Sequence, residues 1–285
     1  MSHKLIALLD GSSYAESVCD HAVWVAKKKG ASIELLHVLG RRSGAGEGTD
    51  LSGNIGLGAR SALLEELADI DARRAKLELM QGRHLLDAAE SRLRDAGVEQ
   101  VSGKLRHGDL IEAVEDFEKE ADLIVIGKRG EAADFAKLHL GSNLERVVRA
   151  ASKPVLVASR AFKPVNSVLI AYDGGPSAMK AVWYVAKSNL FKDIPCTLVM
   201  VGAATDEARK KMDEAAGILS TAKIEVETSF ETGDPDNAIK AKVEREGFDM
   251  LVMGAYGHSR IRNLIIGSTT TEMVRSCLVP VMLFR

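Results

Sequence analysis

Internal duplication is the feature of this sequence that most restricts its fold. Residues 4–12, K-L-I-A-L-L-D-G-S, match residues 167–175, S-V-L-I-A-Y-D-G-G, and further matches follow in the same order along the chain. Matches in one order are typical of a duplicated unit. A length of 285 residues also suits two domains of ordinary size. We therefore predict two domains, residues 1–160 (the first repeat) and 161–285 (the second repeat), joined through residues 160–166.

Each repeat alternates apolar, strand-like runs with helical segments, which is typical of a parallel sheet covered on both faces. We predict an α/β fold of two tandem, doubly wound, Rossmann-like domains, each with its own five-stranded parallel sheet, and no single continuous sheet. Predicted strands of the first repeat span 4–9, 32–39, 99–106, 122–127 and 154–158, and predicted helices span 15–29, 62–96, 109–120 and 143–151. Predicted strands of the second repeat span 167–173, 196–201, 224–231, 249–254 and 280–284.

A glycine- and hydroxyl-rich loop follows the fourth predicted strand of the second repeat. Gly254, Gly257, Gly267 and Ser268 have the spacing G-x-x-G-x9-G-S, and Ser268 is the candidate N-cap of the next helix. Glycine lets backbone N–H groups approach a ligand closely, and a helix start favours phosphate. The alternative is a glycine turn followed by an ordinary helix cap.

This spacing, followed by V-P-V-M-L-F, resembles the ATP-binding signature of the universal stress protein family. The resemblance implies ATP or another adenine nucleotide as ligand, with Asp173 near the ribose, the phosphates and a Mg²⁺ ion, and Val201 near the adenine. It also implies that strands one and four are neighbours, and that the last strands of the two repeats pair as an intrachain pseudo-dimer. The implied nucleotide-binding residues are Tyr172, Asp173, Val201, Met253, Gly254, Gly257, His258, Gly267, Ser268, Thr269 and Thr270.

The first repeat departs from this signature. Ten residues separate Gly130 from Gly141, and Asn143 replaces a threonine. Glu131 and Asp134 add negative charge where phosphate would lie, and Lys128 and Arg129 only partly offset it. We therefore expect a weaker site here. Its candidate residues are Asp10, Val38, Gly127, Gly130, Gly141, Ser142 and Asn143.

The first repeat also carries an insertion at about residues 40–77. Residues 40–58 are rich in glycine and predict an irregular, mobile loop without a G-x-G-x-x-G or Walker motif. The remainder lengthens the following helix and gives it an apolar face that packs either on the sheet or on a partner chain. That face comprises Leu63, Leu64, Leu67, Ile70, Leu77, Met80 and Leu85.

Composition excludes several classes of partner. A net charge of −2 and an aromatic content of 5% argue against nucleic acid. No apolar run approaches the ~20 residues of a membrane span. Cys19, Cys196 and Cys277 are widely spaced and predict buried thiols in a reducing compartment. Since the N-terminus also lacks a signal-peptide pattern, we expect a cytoplasmic protein.

Three functions remain open. The first is a stress or regulatory protein that binds an adenine nucleotide. The second is a slow ATPase or nucleotidyl transferase, although no general base is recognisable beside the glycine loop. The third is a nucleotide-free scaffold or adaptor that uses the insertion as its recognition surface. Association of two chains into a homodimer is compatible with each.

Overall fold

The computed structural model describes residues 3–40, 57–128, 142–255 and 268–285, with the backbone alone at 57–63, 142 and 268. The first repeat contains β1 His3–Leu9, α1 Ala15–Lys29, β2 Ala31–Gly40, α2 Leu57–Asp95, β3 Val101–Gly108, α3 Leu110–Phe117, β4 Leu123–Gly127, α4 Ser142–Ala150 and β5 Val155–Ala158. The second contains β6 Val168–Ala171, α5 Pro176–Lys187, β7 Cys196–Val201, α6 Asp206–Thr221, β8 Val226–Glu231, α7 Pro235–Glu246, β9 Met250–Gly254, α8 Ser268–Ser276 and β10 Val281–Phe284.

All ten strands belong to one sheet, in the order β3-β2-β1-β4-β5-β10-β9-β6-β7-β8. The predicted pairing of the last strands is confirmed, because β5 and β10 pair antiparallel through backbone hydrogen bonds and join the two repeats edge to edge. This pairing merges the two sheets, so the prediction that there is no single continuous sheet is wrong. Pairing within each repeat is parallel, and the strand order of one repeat mirrors that of the other about this seam. The predicted neighbours β1 and β4 are confirmed, as are β6 and β9.

Both faces of the sheet are buried, as apolar parallel strands require. In β1, Leu5 and Ala7 belong to one apolar cluster, whereas Ile6 and Leu8 belong to the other. Helices α1, α2, α5 and α6 contribute to the first cluster, and α3, α4, α7 and α8 contribute to the second. The fold class predicted from the alternation of apolar runs is confirmed.

Two cations close the seam between the repeats. The Lys128 ammonium donates to the Cys277 carbonyl at 2.5 Å, just after α8. The Arg285 guanidinium donates to the Arg149 carbonyl at 2.6 Å, in the last turn of α4. Cations at helix C-termini donate hydrogen bonds to the unpaired carbonyls there and interact favourably with the negative end of the helix dipole. Lys128 was predicted to offset acidic charge beside a phosphate, but its ammonium is engaged at the seam.

The predicted apolar face of α2 divides into two parts. Leu85 packs against the core, but Leu64, Leu67, Ile70, Leu77 and Met80 are exposed, so these five do not pack on the sheet. The helix begins at Leu57, within the segment predicted to be a loop, and residues 41–56 of that segment lie outside the described residues.

The predicted bounds of two elements and the predicted burial of the cysteines are confirmed. Helix α1 and strand β7 have their predicted bounds. All three cysteines are free and buried, as predicted. Within the described ranges, no helix combines the length and the hydrophobicity that crossing a membrane requires.

Candidate functional site

A cavity of about 460 Å³ opens at the carboxyl ends of β1, β2 and β4. Strand β1 leads into α1 on one face of the sheet and β4 leads towards α4 on the other, so the chain leaves a crevice between them. Asp10, Val38, Gly127 and Asn143 line this cavity. These are four of the predicted site residues of the first repeat, and the fold brings them together.

The aspartates after β1 and β6 shape the first wall of the site in each repeat. An Asp10 carboxylate oxygen accepts from the Ser12 N–H at 3.1 Å, and an Asp173 oxygen accepts from the Gly175 N–H at 2.8 Å. Each aspartate thus closes the same type of Asx turn. Gly174 has φ 74°, and a Cβ there would lie 2.9 Å from Cδ of Lys211. Lys211 of α6 therefore lies beside the turn that Asp173 closes.

An ion pair absent from the sequence-based prediction forms another wall of the cavity. Asp109 caps α3 by accepting from the Ile111 N–H at 2.7 Å, and the Arg146 guanidinium of α4 lies 2.5 Å from its other oxygen. The Arg146 guanidinium, and then the Ile111 N–H, hold the pKa of Asp109 below its usual value. Both side chains line the cavity. The cation of this wall is thus paired with Asp109, and the cavity is also lined by the carboxylates of Asp10 and Glu112; Glu131 and Asp134 lie outside the described residues.

The second repeat has the corresponding aspartate cap but no arginine at the position of Arg146. Asp234 accepts from the N–H groups of Asp236 and Asn237 at the start of α7. When L-G-S-N-L-E-R is aligned with I-G-S-T-T-T-E, Glu272 takes the position of Arg146, and its carboxylate lies 2.6 Å from the Arg275 guanidinium. Aligning the repeats residue by residue would have revealed this reversal of charge.

Thr270 is turned towards the protein. The residue is 3% exposed, and its hydroxyl lies 3.1 Å from the Ala255 carbonyl and 3.3 Å from the Gly254 carbonyl. This contact ties the start of α8 to the end of β9. The aligned residue in the first repeat is Leu144, which is buried and apolar. Thr269, the preceding residue, is half-buried.

Gly254 and Tyr172 have packing roles in the structure. A Cβ on Gly254 would lie 3.0 Å from both the Ala178 nitrogen and Cβ of Ser177, so a glycine lets α5 approach β9. Tyr172 is 3% exposed within the apolar cluster that contains α5 and α6, and burial is the main cause that raises the pKa of its hydroxyl.

The remaining predicted residues divide between described and undescribed positions. Met253 is buried and Val201 is half-buried, both on the face covered by α7 and α8. Ser142 and Ser268 are the first residues of α4 and α8. Five predicted residues lie outside the described ranges: Gly130, Gly141, Gly257, His258 and Gly267. In the part of the chain that is described, no three His, Cys, Asp or Glu residues cluster as metal ligands.

Comparison with known proteins adds the family context. The model of the universal stress protein family matches residues 1–159 and 164–285. The chain is 38% identical to universal stress protein Slr1230 of Synechocystis sp. over 285 residues, covering 99% of both chains. Its fold is similar to the crystal structure of an Archaeoglobus fulgidus universal stress protein, with a TM-score of 0.69, 23% identity and coverage of 100% and 99%. A Pseudomonas aeruginosa protein of unknown function has a similar fold, with a TM-score of 0.60, 15% identity and coverage of 99% and 92%.

Proposed function

The chain belongs to the universal stress protein family, and we propose that it binds ATP or another adenine nucleotide as a regulatory ligand in a stress response. The observation that carries this proposal is the cavity of about 460 Å³ at the carboxyl ends of β1, β2 and β4. Small-molecule sites commonly have volumes of about 300–1,000 Å³ and lie at such strand ends. A cytoplasmic location is part of the proposal, and the free, buried thiols support it.

In the second repeat we assign the nucleotide to the intact G-x-x-G-x9-G-S signature. Asp173 follows β6 and lies beside Lys211 of α6, so this corner offers a Mg²⁺–triphosphate group a carboxylate and a cation, the latter paired with Glu207. Mg²⁺ is commonly held by one or two carboxylates together with substrate phosphates, and the single carboxylate of Asp173 fits that pattern. Thr269 and the first N–H groups of α8 face the phosphates in this proposal. Thr270 joins the start of α8 to the end of β9.

In the first repeat the same position offers a different set of groups. Val38 supplies an apolar wall for the adenine, and Asp10 is placed as Asp173 is in the other repeat. Arg146 supplies a cation that the signature does not require. We therefore propose a second adenine nucleotide site here, with Arg146 as its phosphate contact.

Matched variants in the two repeats test the assignment. Gly257→Asp places a carboxylate in the loop of the second repeat, and Gly130→Asp does the same at the aligned position of the first. Isothermal titration calorimetry with ATP is expected to lose one class of site in each variant, while far-UV circular dichroism stays unchanged. Unaltered affinity and stoichiometry in both variants would refute the site.

A nucleotide-free adaptor is the second candidate function, and the exposed apolar side chains of α2 favour it. Mass spectrometry of the supernatant after denaturing purified protein separates the two candidates, because only the first predicts a released adenine nucleotide. Phosphate release from ATP over time then distinguishes a slow ATPase from a protein that only binds the nucleotide.

A further inference from the structure

Helix α2 extends beyond the body of the first repeat. Its C-terminal third packs on β2, β3 and α1, where Leu86, Ala89 and Leu93 are buried. Every residue from 64 to 74 is exposed. Helices gain most of their stability in proteins from packing rather than from propensity. A projecting segment of this length therefore calls for a partner.

The projecting part of α2 carries an apolar stripe. Leu64, Leu67, Ile70, Leu77 and Met80 are between 45% and 58% exposed. They are five of the seven large apolar side chains that are exposed among the described residues; the other two lie in the second repeat. Such a concentration on one helix marks an interaction surface, whereas scattered apolar residues would need no explanation.

Charge is segregated along the same helix. Between residues 64 and 72 every charged residue is acidic. Between residues 73 and 83 every charged residue is basic except Glu78. The acidic residues are Glu65, Glu66, Asp69 and Asp71, and the basic residues are Arg73, Arg74, Lys76 and Arg83. Two such helices attract each other when they run antiparallel, because each acidic part then faces a mainly basic part, in which Glu78 is paired with Arg74 of its own helix. In a parallel pair, like charges would face each other.

The apolar stripe has the same symmetry. Leu64 and Met80 are equally far from Ala72 along the chain, and so are Leu67 and Leu77. A two-fold axis at the level of Ala72 would thus place Leu64 opposite Met80 of the other chain and Leu67 opposite Leu77, while Ile70 would lie at the level of Arg74. One patch that matches itself in this way fits an isologous interface.

We propose that a second copy of this chain covers this surface, with the two α2 helices packed antiparallel about a two-fold axis at the level of Ala72. The interface is a single helix pair, smaller than a standard protein interface, so a dissociation constant on the order of micromolar is expected. This inference does not depend on the nucleotide site, since every residue that carries it lies on α2.

Sedimentation of the full chain tests the assembly. The monomer has a mass of 30.7 kDa, and we expect a concentration-dependent species of twice that mass. Leu67→Glu and Leu77→Glu should each weaken the dimer about tenfold or more, because a carboxylate replaces an apolar contact. Leu278→Glu is the matched control, since Leu278 is 79% exposed and lies outside the stripe. A wild type that stays monomeric at about 100 times micromolar concentration contradicts the proposal.

Charge exchange tests whether the helices pair through these charges, and recovery of a dimer on mixing would also show that neither variant is misfolded. One variant changes the four acidic residues to lysine, and the other changes the four basic residues to glutamate. Each variant alone is expected to be monomeric because its two helices repel each other. Mixing them should restore a heterodimer, because one helix is then basic and the other acidic, and failure to do so would contradict pairing of the two helices through these charges.

Cysteine pairing tests the register. Leu67→Cys chains mixed with Leu77→Cys chains should form a disulfide, because these positions face each other. Leu67→Cys alone should not, since two copies of position 67 would lie about 15 Å apart along the axis, beyond the ~7 Å limit for a disulfide. The native cysteines are buried and do not interfere. A disulfide in Leu67→Cys alone would indicate a parallel pair, and no disulfide in either experiment would indicate a partner other than this chain.

Discussion

Replacing Thr270 by valine separates a structural role of its hydroxyl from a ligand-binding one. Valine keeps the shape of threonine, so no cavity is created, but the hydroxyl that faces the Gly254 and Ala255 carbonyls is lost. The site is 3% exposed, so water cannot readily replace the missing donor. A hydrogen bond contributes about 0.5–1.5 kcal/mol, and an unsatisfied buried group costs about 1–3 kcal/mol. We expect Thr270→Val to lower the free energy of unfolding by about 1–2 kcal/mol.

Thermal unfolding followed by circular dichroism measures this change. A loss of about 1–2 kcal/mol corresponds to a Tm lower by roughly 2–8 °C in a protein of this size. The control is Thr269→Val, at a half-buried position, where the free energy of unfolding should change by less than about 0.5 kcal/mol. If Thr270→Val unfolds at the wild-type temperature yet loses affinity for ATP, the hydroxyl serves the ligand, and the reasoning from its contacts to the carbonyls is wrong.

Three further predictions follow from packing and charge. Gly254→Ala should lower the free energy of unfolding by about 1–3 kcal/mol, because its Cβ would crowd α5. The control is Gly217→Ala, in an open position of α6, which should raise the free energy of unfolding by about 1 kcal/mol. Urea unfolding of the two variants measures both changes. Since the folded-state pKa of Asp109 is lowered, its contribution to stability is complete above its ordinary value of 3.8 and is lost as pH falls through the folded-state pKa. Arg146→Met removes the main cause of the lowered Asp109 pKa. The free energy of unfolding should then fall less steeply with decreasing pH below about 4, and an unchanged slope would contradict the ion pair. Burial raises the pKa of the Cys19 thiol to about 11, so alkylation at neutral pH should require unfolding.

Local pattern and repetition predicted most of the fold. The apolar runs located the strands because parallel strands buried on both faces need continuous apolar sequence. Matching the repeats predicted that their strand orders are alike. The continuous sheet was missed because sequence shows which edges can pair, not whether pairing merges two sheets into one. The long face of α2 was ambiguous for a similar reason, since a periodic apolar stripe looks the same whether it covers a sheet or a second chain.

The site was predicted only where a motif fixes the backbone. Asp10 and Asp173 follow strands directly, so their positions at the strand ends could be predicted. The pair formed by Asp109 and Arg146 could not, because it requires α3 and α4 to meet across 37 residues of sequence. The assignment of Thr270 to phosphate stays a prediction, because a cap residue that binds its own backbone and one that binds a ligand have the same sequence signal.

Divergence between the repeats follows from these same residues. The sheet places equivalent strand ends in both repeats, so differences in ligand preference must arise from side chains. Arg146 in the first repeat corresponds to Glu272 in the second, and Leu144 corresponds to Thr270. Arg146 pairs with Asp109 but has further N–H donors to offer an anionic group close to α3, whereas a carboxylate at that position, paired with Arg275, offers none. The two proposed sites should therefore differ in how strongly affinity depends on phosphate number. Titrations with AMP, ADP and ATP on the Gly257→Asp and Gly130→Asp variants measure that difference, and identical nucleotide preferences in both repeats would show that Arg146 does not face the ligand.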